Sequence, residues 1–333
     1  MRVALPAEAT GGTVVPMDDA AVAVEVVTPR EVPLGGPRAM TVRRTLPQKQ
    51  RSLIGAWCFV DHYGPDDVAD TGGMLVPPHP HTGLQTVTWL FTGEVEHRDS
   101  GGVRALVRPG AVNLMTAGAG IAHSEVSTPG TTTLHGVQLW VALPTATRDA
   151  PRAFDHHEPT PVDVDGAVVR VFLGALAGAV SPVRTHTPLL GAEVVLPPGG
   201  SVALDVDPSY EHGLLLDSGS VALCGTPLVR GELGYTGVGA HRLVVDDLDD
   251  LDGTGARFLL LGGAPFGEEI VMWWNFVARS HDEVVSMREE WNARGGRFGE
   301  VDGYVGDPSW LPAPALPHVR LMPRHNPPSS VIA

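Results

Sequence analysis

The stretch PPHPHTGLQTVTWLFTGE, residues 77–94, sets two imidazoles, His79 and His81, at the head of a run rich in Thr, Val, Trp and Phe. Such β-branched and aromatic residues fit a pleated, half-buried strand. Side chains alternate on a strand, so both rings would leave one face, about 6.6–6.8 Å apart at the backbone. Pro78 and Pro80 admit another conformation. Polyproline II has a threefold repeat and would splay the two rings. The stretch is therefore half of a metal clasp if it is a paired strand, and a stiff lead-in with two unrelated histidines if it is not.

Runs of the same texture recur on both sides: AVAVEVV, AMTVRRTL, GAWCFVDHY, VRALVRPG, AVNLMTAG and HGVQLWVAL. They are short and separated by Gly, Pro, Asp and Asn, the pattern of an all-β sandwich or barrel. A chain of 333 residues with 43% apolar content is long enough for two cores. Its 40 Gly and 30 Pro against 18% charged residues suit strands and turns better than helices. A second series of runs follows, AVVRVFLGAL, AEVVLPPGGSVALDV, HGLLLDSGSVALCGTPL, HRLVVDDL and ARFLLLGG. Both series contain a strand that ends in Gly and turns into a hairpin, which suggests two β-barrels in tandem.

The expected organisation is a loose arm over 1–22, a first barrel over 23–145, a Pro-rich linker over 146–165 and a second barrel over 166–265. A C-terminal helix and an extended tail fill 266–333. The helix is expected in SHDEVVSMREEWNARGG, with Ser280 as N-cap, Glu283 completing a capping box, and Gly295–Gly296 as the stop. Seven prolines between 308 and 328 keep the tail extended.

The formal net charge of −15 repels phosphate backbones, so direct nucleic-acid binding is not expected. No run is long and apolar enough for a spanning helix, and the first residues lack the apolar core of a signal peptide. The two cysteines, Cys58 and Cys224, both sit in apolar settings and read as free thiols, which fits a cytoplasmic location.

A second pair of ligand-type residues, His123 and Glu125, occurs in GAGIAHSEVS, again at i and i+2. Two such pairs on neighbouring strands would supply three imidazoles and one carboxylate. Fe(II), Mn(II), Co(II), Ni(II), Cu(II) and Zn(II) all accept that set. The bland alternatives are histidines in ordinary hydrogen bonds and a surface Glu125. Trp57, Trp89, Phe91 and Trp140 read as core. His97, His135, His156, His157 and His212 have no ligand-spaced partner and read as structural or exposed. No GxSxG, phosphate loop or CxxC is present.

HPHTGLQTVTWLFTGEVEHRDSGG, RPGAVNLMTAGAGIAHSE and LHGVQLWVALP together resemble the N-terminal half of the pirins, two-domain proteins of the cupin superfamily, and FVDHYGP and GEEIVMWWNFVARSHDEV match their style. The resemblance spans about residues 38 to 300. It implies tandem cupin jelly-rolls and a metal, usually iron, held by His79, His81, His123 and Glu125. It also implies a C-terminal cupin without metal, in agreement with residues 201–236, which offer His212 without an HxH or HxE pair. Some members resemble quercetin 2,3-dioxygenases, which act on a flavonol and O₂, whereas others are regulators that bind protein partners. On the first reading Glu125 doubles as the catalytic base. Gln85 stands where many cupins carry a Glu, and is expected beside the metal as a hydrogen-bond partner of a bound water or substrate oxygen.

Overall fold

The computed structural model describes residues 22–33, 40–248, 253–324 and 326. The arm expected over 1–22 lies, apart from Val22, outside them. In the first half a seven-stranded antiparallel sheet runs in the order Ala153–His157, Val112–Thr116, Leu84–Thr92, Thr133–Ala142, Trp57–Asp67, Thr41–Leu46, Arg30–Pro33. A separate four-stranded sheet runs Leu75–His81, Ile121–Ser127, Val95–Asp99, Arg104–Val107.

The second half repeats this plan. Its seven strands run Glu25–Val27, Leu233–Thr236, Glu211–Ser218, Ala256–Gly263, Leu189–Leu196, Ala167–Leu173, Val162–Val164. Its four are Ser201–Asp205, Arg242–Asp247, Val221–Leu223 and Thr226–Leu228. Matching strands occupy matching places in both halves, which establishes two tandem jelly-rolls, each a pair of sheets rather than a continuously closed barrel. The edge place is filled crosswise. Glu25–Val27, at the start of the chain, pairs with Leu233–Thr236 of the second unit. Ala153–His157, from the Pro-rich stretch between the units, pairs with Val112–Thr116 of the first.

The two large sheets pack back to back. Along Leu84–Thr92, Val87, Trp89 and Phe91 share one face and join a core that also contains Phe172, Leu215 and Leu259 of the second unit. Trp89 stacks on Phe172 with ring centroids 4.8 Å apart. The Trp57 indole N–H donates across the interface to the carbonyls of Leu190 and Gly262, at 3.2 and 3.1 Å. A buried indole needs such an acceptor. Gly55 sits at φ +50° with its missing Cβ position 2.7 Å from the Gly263 backbone, so a side chain there would separate the units.

The helix forms at His281–Asn292. Ser280 caps it by accepting from the Glu283 N–H at 3.2 Å. The Glu283 carboxylate does not complete the expected box; it accepts from the Arg279 N–H at 2.8 Å and pairs with Arg148. Val284, Met287 and Trp291 form the buried stripe. The stop differs from expectation, since Arg294, not a glycine, takes the left-handed conformation (φ 59°). A short helical turn at Val68–Thr71, capped by Asp67, escaped the sequence reading. Beyond the helix the chain returns to the first unit, where the Leu311 N–H donates to the Pro78 carbonyl at 2.9 Å. Both cysteines are free, Cys58 buried and Cys224 half-buried. No helix among the described residues is long and apolar enough to cross a membrane.

Candidate metal centre

Leu75–His81 is a paired strand, not polyproline II. It is the edge strand of the four-stranded sheet, with Pro80 opposite Ala122 and His79 opposite His123. Proline lacks an N–H, so it suits an edge, where one side of the backbone needs no ladder partner. The register slips by a bulge between His123 and Glu125, opposite Pro77 and Pro78.

Strand alternation then brings His79, His81 and His123 into one buried cluster. The ring centroids lie 4.3 to 5.0 Å apart. His81 Nε2 and His123 Nε2 approach to 3.0 Å. His79 Nδ1 lies 2.9 Å from the Pro77 carbonyl and His81 Nδ1 3.2 Å from that of Asn275. A carbonyl only accepts, so both rings carry their proton on Nδ1 and leave Nε2 as a lone pair. Burial holds His79 down to about 4 and keeps His81 and His123 well below the usual imidazole range. All three are therefore neutral near pH 7, the form that binds a cation. The ligand atoms of these three histidines lie within 4.8 Å of one another. Glu125 falls in an overlapping group with His123 and His97. Its carboxyl is raised, first by burial.

Residues 39–141 match the pirin family model and 191–299 the model of the pirin C-terminal cupin domain. A Caulobacter vibrioides pirin-like protein is 35% identical over 78% of this chain and 91% of its own length. The chain belongs to the pirin family. A Pseudomonas aeruginosa protein provisionally named a quercetin 2,3-dioxygenase is 46% identical over 87% of this pirin and 90% of its own length. The crystal structure of quercetin 2,3-dioxygenase from Acinetobacter baumannii superposes with a TM-score of 0.82 at 37% identity, covering 90% of this chain and 97% of that one. The two jelly-rolls are thus cupin domains, as the sequence resemblance implied.

The pocket contains residues that sequence spacing did not point to. Thr88, inward-facing on the large sheet, places its hydroxyl 3.0 Å from Gln138 Oε1 and 3.4 Å from Glu125 Oε1. The Trp140 ring stands edge-on to His81 at 5.1 Å and stacks on Phe59 at 4.0 Å, so Trp140 walls the site. His97 and Asp99 lie on the strand beside His123 and Glu125, in register opposite Glu125 and His123 respectively. Their i, i+2 spacing in EHRD was the available signal.

Gln85 is corrected. It shares the face of Val87 and Trp89, against the second unit, and donates to Thr116 Oγ1 at 2.9 Å. One step of strand alternation removes it from the pocket. In the second cupin, the places of His79, His81 and His123 are taken by Val202, Leu204 and Val245, which pack in its apolar core.

A further polar cluster lies between the units. His62 and His135 of the first both reach Asp217 Oδ1 of the second, at 2.7 and 2.5 Å, and Arg257 Nε donates to Oδ2 at 2.7 Å. Burial would raise the Asp217 carboxyl, but the hydrogen bonds from His135 and His62 together outweigh it and hold the group well below the usual carboxylate range. Three arginines tie the cluster in: Arg257 donates to the carboxylate, Arg230 Nε to the Asp217 backbone carbonyl at 2.8 Å, and Arg43 Nε to His62 Nδ1 at 3.4 Å. The cluster is a hydrogen-bonded pin, poorly suited to a divalent cation.

These burials fix an acid dependence. His62, His79 and His212 are held at about 4, and His81 and His123 well below the usual imidazole range, all by burial first. In the unfolded chain the same rings take up protons near about 6.5. The unfolded state therefore binds more protons below that pH, and stability present above it is lost as pH falls toward 4. Each ring contributes a slope of up to about 1.4 kcal/mol per pH unit in this window. Urea midpoints of the metal-free protein between pH 7.5 and 4.5 should fall steeply; a flat profile would show that the rings are not buried as neutral bases.

Proposed function

We propose that this chain holds one divalent first-row metal ion, Fe(II) in the first instance, through His79, His81, His123 and Glu125, and opens a flavonol-type substrate with O₂. The observation that carries the reading is the meeting of Nε2 atoms in a buried pocket whose Nδ1 atoms are already engaged by the Pro77 and Asn275 carbonyls. The relatives named for quercetin dioxygenation support the substrate class.

A bound ion would supply Lewis acidity toward the flavonol hydroxyl. The chain's own residues do the rest. Glu125 takes the hydroxyl proton at its carboxylate, steadied by the Thr88 hydroxyl at Oε1. Trp140 and Phe59 offer an apolar wall to the aromatic rings and help exclude water. The substrate itself provides the electrons that reduce O₂, so no separate reductant is required when CO leaves. The test is quercetin loss and CO release by protein loaded in turn with Fe, Mn, Co, Ni or Cu. Turnover that disappears in His79→Ala supports the assignment, and no turnover with any of the five ions overturns it.

A further inference from the structure

The orientation of the His123 ring is set from outside the proposed ligand set. His97 Nδ1 lies 3.4 Å from His123 Nδ1, and His97 Nε2 lies 3.1 Å from Asp99 Oδ2. The other oxygen, Asp99 Oδ1, accepts from the backbone N–H groups of Gly101 and Val103 at 2.7 and 3.2 Å. His97, Asp99 and His123 are all buried. The chain of partners therefore runs from a turn, through Asp99 and His97, to the ring that joins both groups of pocket ligands.

With both rings neutral, proton bookkeeping along this chain leaves one arrangement. An ionised carboxylate only accepts, so the His97 Nε2 atom carries a proton. A neutral His97 then has a lone pair on Nδ1. The facing His123 Nδ1 must hold its own proton, which it donates to His97. His123 Nε2 is consequently a lone pair, and it faces His81 Nε2, another lone pair, at 3.0 Å. Two acceptors at that distance with no hydrogen between them repel, and a cation relieves the repulsion. With His97 and Asp99 absent, His123 could instead place its proton on Nε2 and donate it to His81, which would close the pocket to a cation.

We propose that His97, clamped by Asp99, is a positioning residue that fixes the His123 tautomer and so keeps the pocket open to a metal ion. This rests on the metal reading above for its purpose, but not for its test. A carboxylate or carbonyl behind a ligating imidazole commonly sets which nitrogen binds. Here a second imidazole is interposed, and the anchor is the turn that follows Val95–Asp99.

The deciding variant is Asp99→Asn. Its side-chain oxygen can still accept from Gly101 and Val103, while its amide N–H₂ points at His97 and demands an acceptor there. His97 must then shift its proton to Nδ1, and His123 its own to Nε2. The same kind of substitution is known to trap the wrong histidine tautomer in a catalytic triad.

Two measurements on the metal-free and Zn(II)-titrated protein test this. Long-range ¹H–¹⁵N correlation spectra of the metal-free wild type should show His123 protonated at Nδ1, and Asp99→Asn should move that proton to Nε2. Zn(II) affinity of Asp99→Asn should fall by about 10- to 100-fold, and His97→Gln, which keeps an acceptor toward His123, should recover part of it. A wild-type His123 protonated at Nε2 overturns the proposal without any variant having to fold. So does an unchanged tautomer in Asp99→Asn. If the wild type shows the Nδ1 tautomer but binds no ion of any kind, the metal reading fails while the positioning role stands.

Discussion

Asp217→Ala should destabilise the protein by about 3–5 kcal/mol, the usual cost of removing one partner from a buried charged cluster. The Asp217 carboxylate is inaccessible and satisfies three donors, His62, His135 and Arg257. Its removal strands two imidazole N–H groups in the inter-unit core and leaves the guanidinium of Arg257 without its carboxylate. Unmade hydrogen bonds of this kind cost more than the bonds themselves contribute, because the groups have already left water. The apolar contacts of the back-to-back sheets stay in place, so the variant should fold and melt lower, by on the order of 10 °C. Asp217→Asn keeps one acceptor oxygen and should fall between wild type and Ala. A melting temperature of Asp217→Ala within about 1 °C of wild type would mean that water replaces the carboxylate at no cost and that the pin does not hold the units together.

That cluster also shows where the sequence stopped being legible. His79–His81 and His123–Glu125 announce themselves because a strand's period of two turns sequence spacing directly into a shared face. The repeat of short strands gave two jelly-rolls for the same local reason, and Ser280 marked the helix start through its own side chain. What the sequence did not show depends on which strands become neighbours. His62, His135 and Asp217 come from three strands and two units, and nothing local ties them together. His97 is unremarkable until Val95–Asp99 lies against Ile121–Ser127. Glu25–Val27 crosses to the far sheet, and Ala153–His157 reads as linker because its pairing partner lies outside its own neighbourhood. Gln85 failed differently. Its offset from the HxH pair suggested the pocket, whereas the parity of its own strand placed Thr88 there instead.

His123→Leu should abolish ion binding while leaving the metal-free fold nearly as stable as before. His123 is the ring common to both groups of candidate ligands, so its loss should cost more affinity than the roughly 10–100-fold typical of a group one layer removed from the ion. Stability should respond differently. In the metal-free protein the ring is buried and neutral, its Nε2 faces a second acceptor at 3.0 Å, and its one polar bond, from Nδ1 to His97, is long at 3.4 Å, so it adds little beyond packing. An apolar side chain of similar size preserves that packing, as Val245 does at the matching place in the second cupin. The two effects separate in one experiment. An ion that binds only the folded state at 100 times its dissociation constant raises stability by about 2.7 kcal/mol. Wild-type protein should therefore melt higher when Zn(II) or Fe(II) is added, and His123→Leu should melt at one temperature with or without the ion. His156→Ala, on an exposed strand edge beside Asn113, serves as the control and should keep the full increment. An undiminished increment in His123→Leu would place the ion elsewhere and remove His123 from the ligand set.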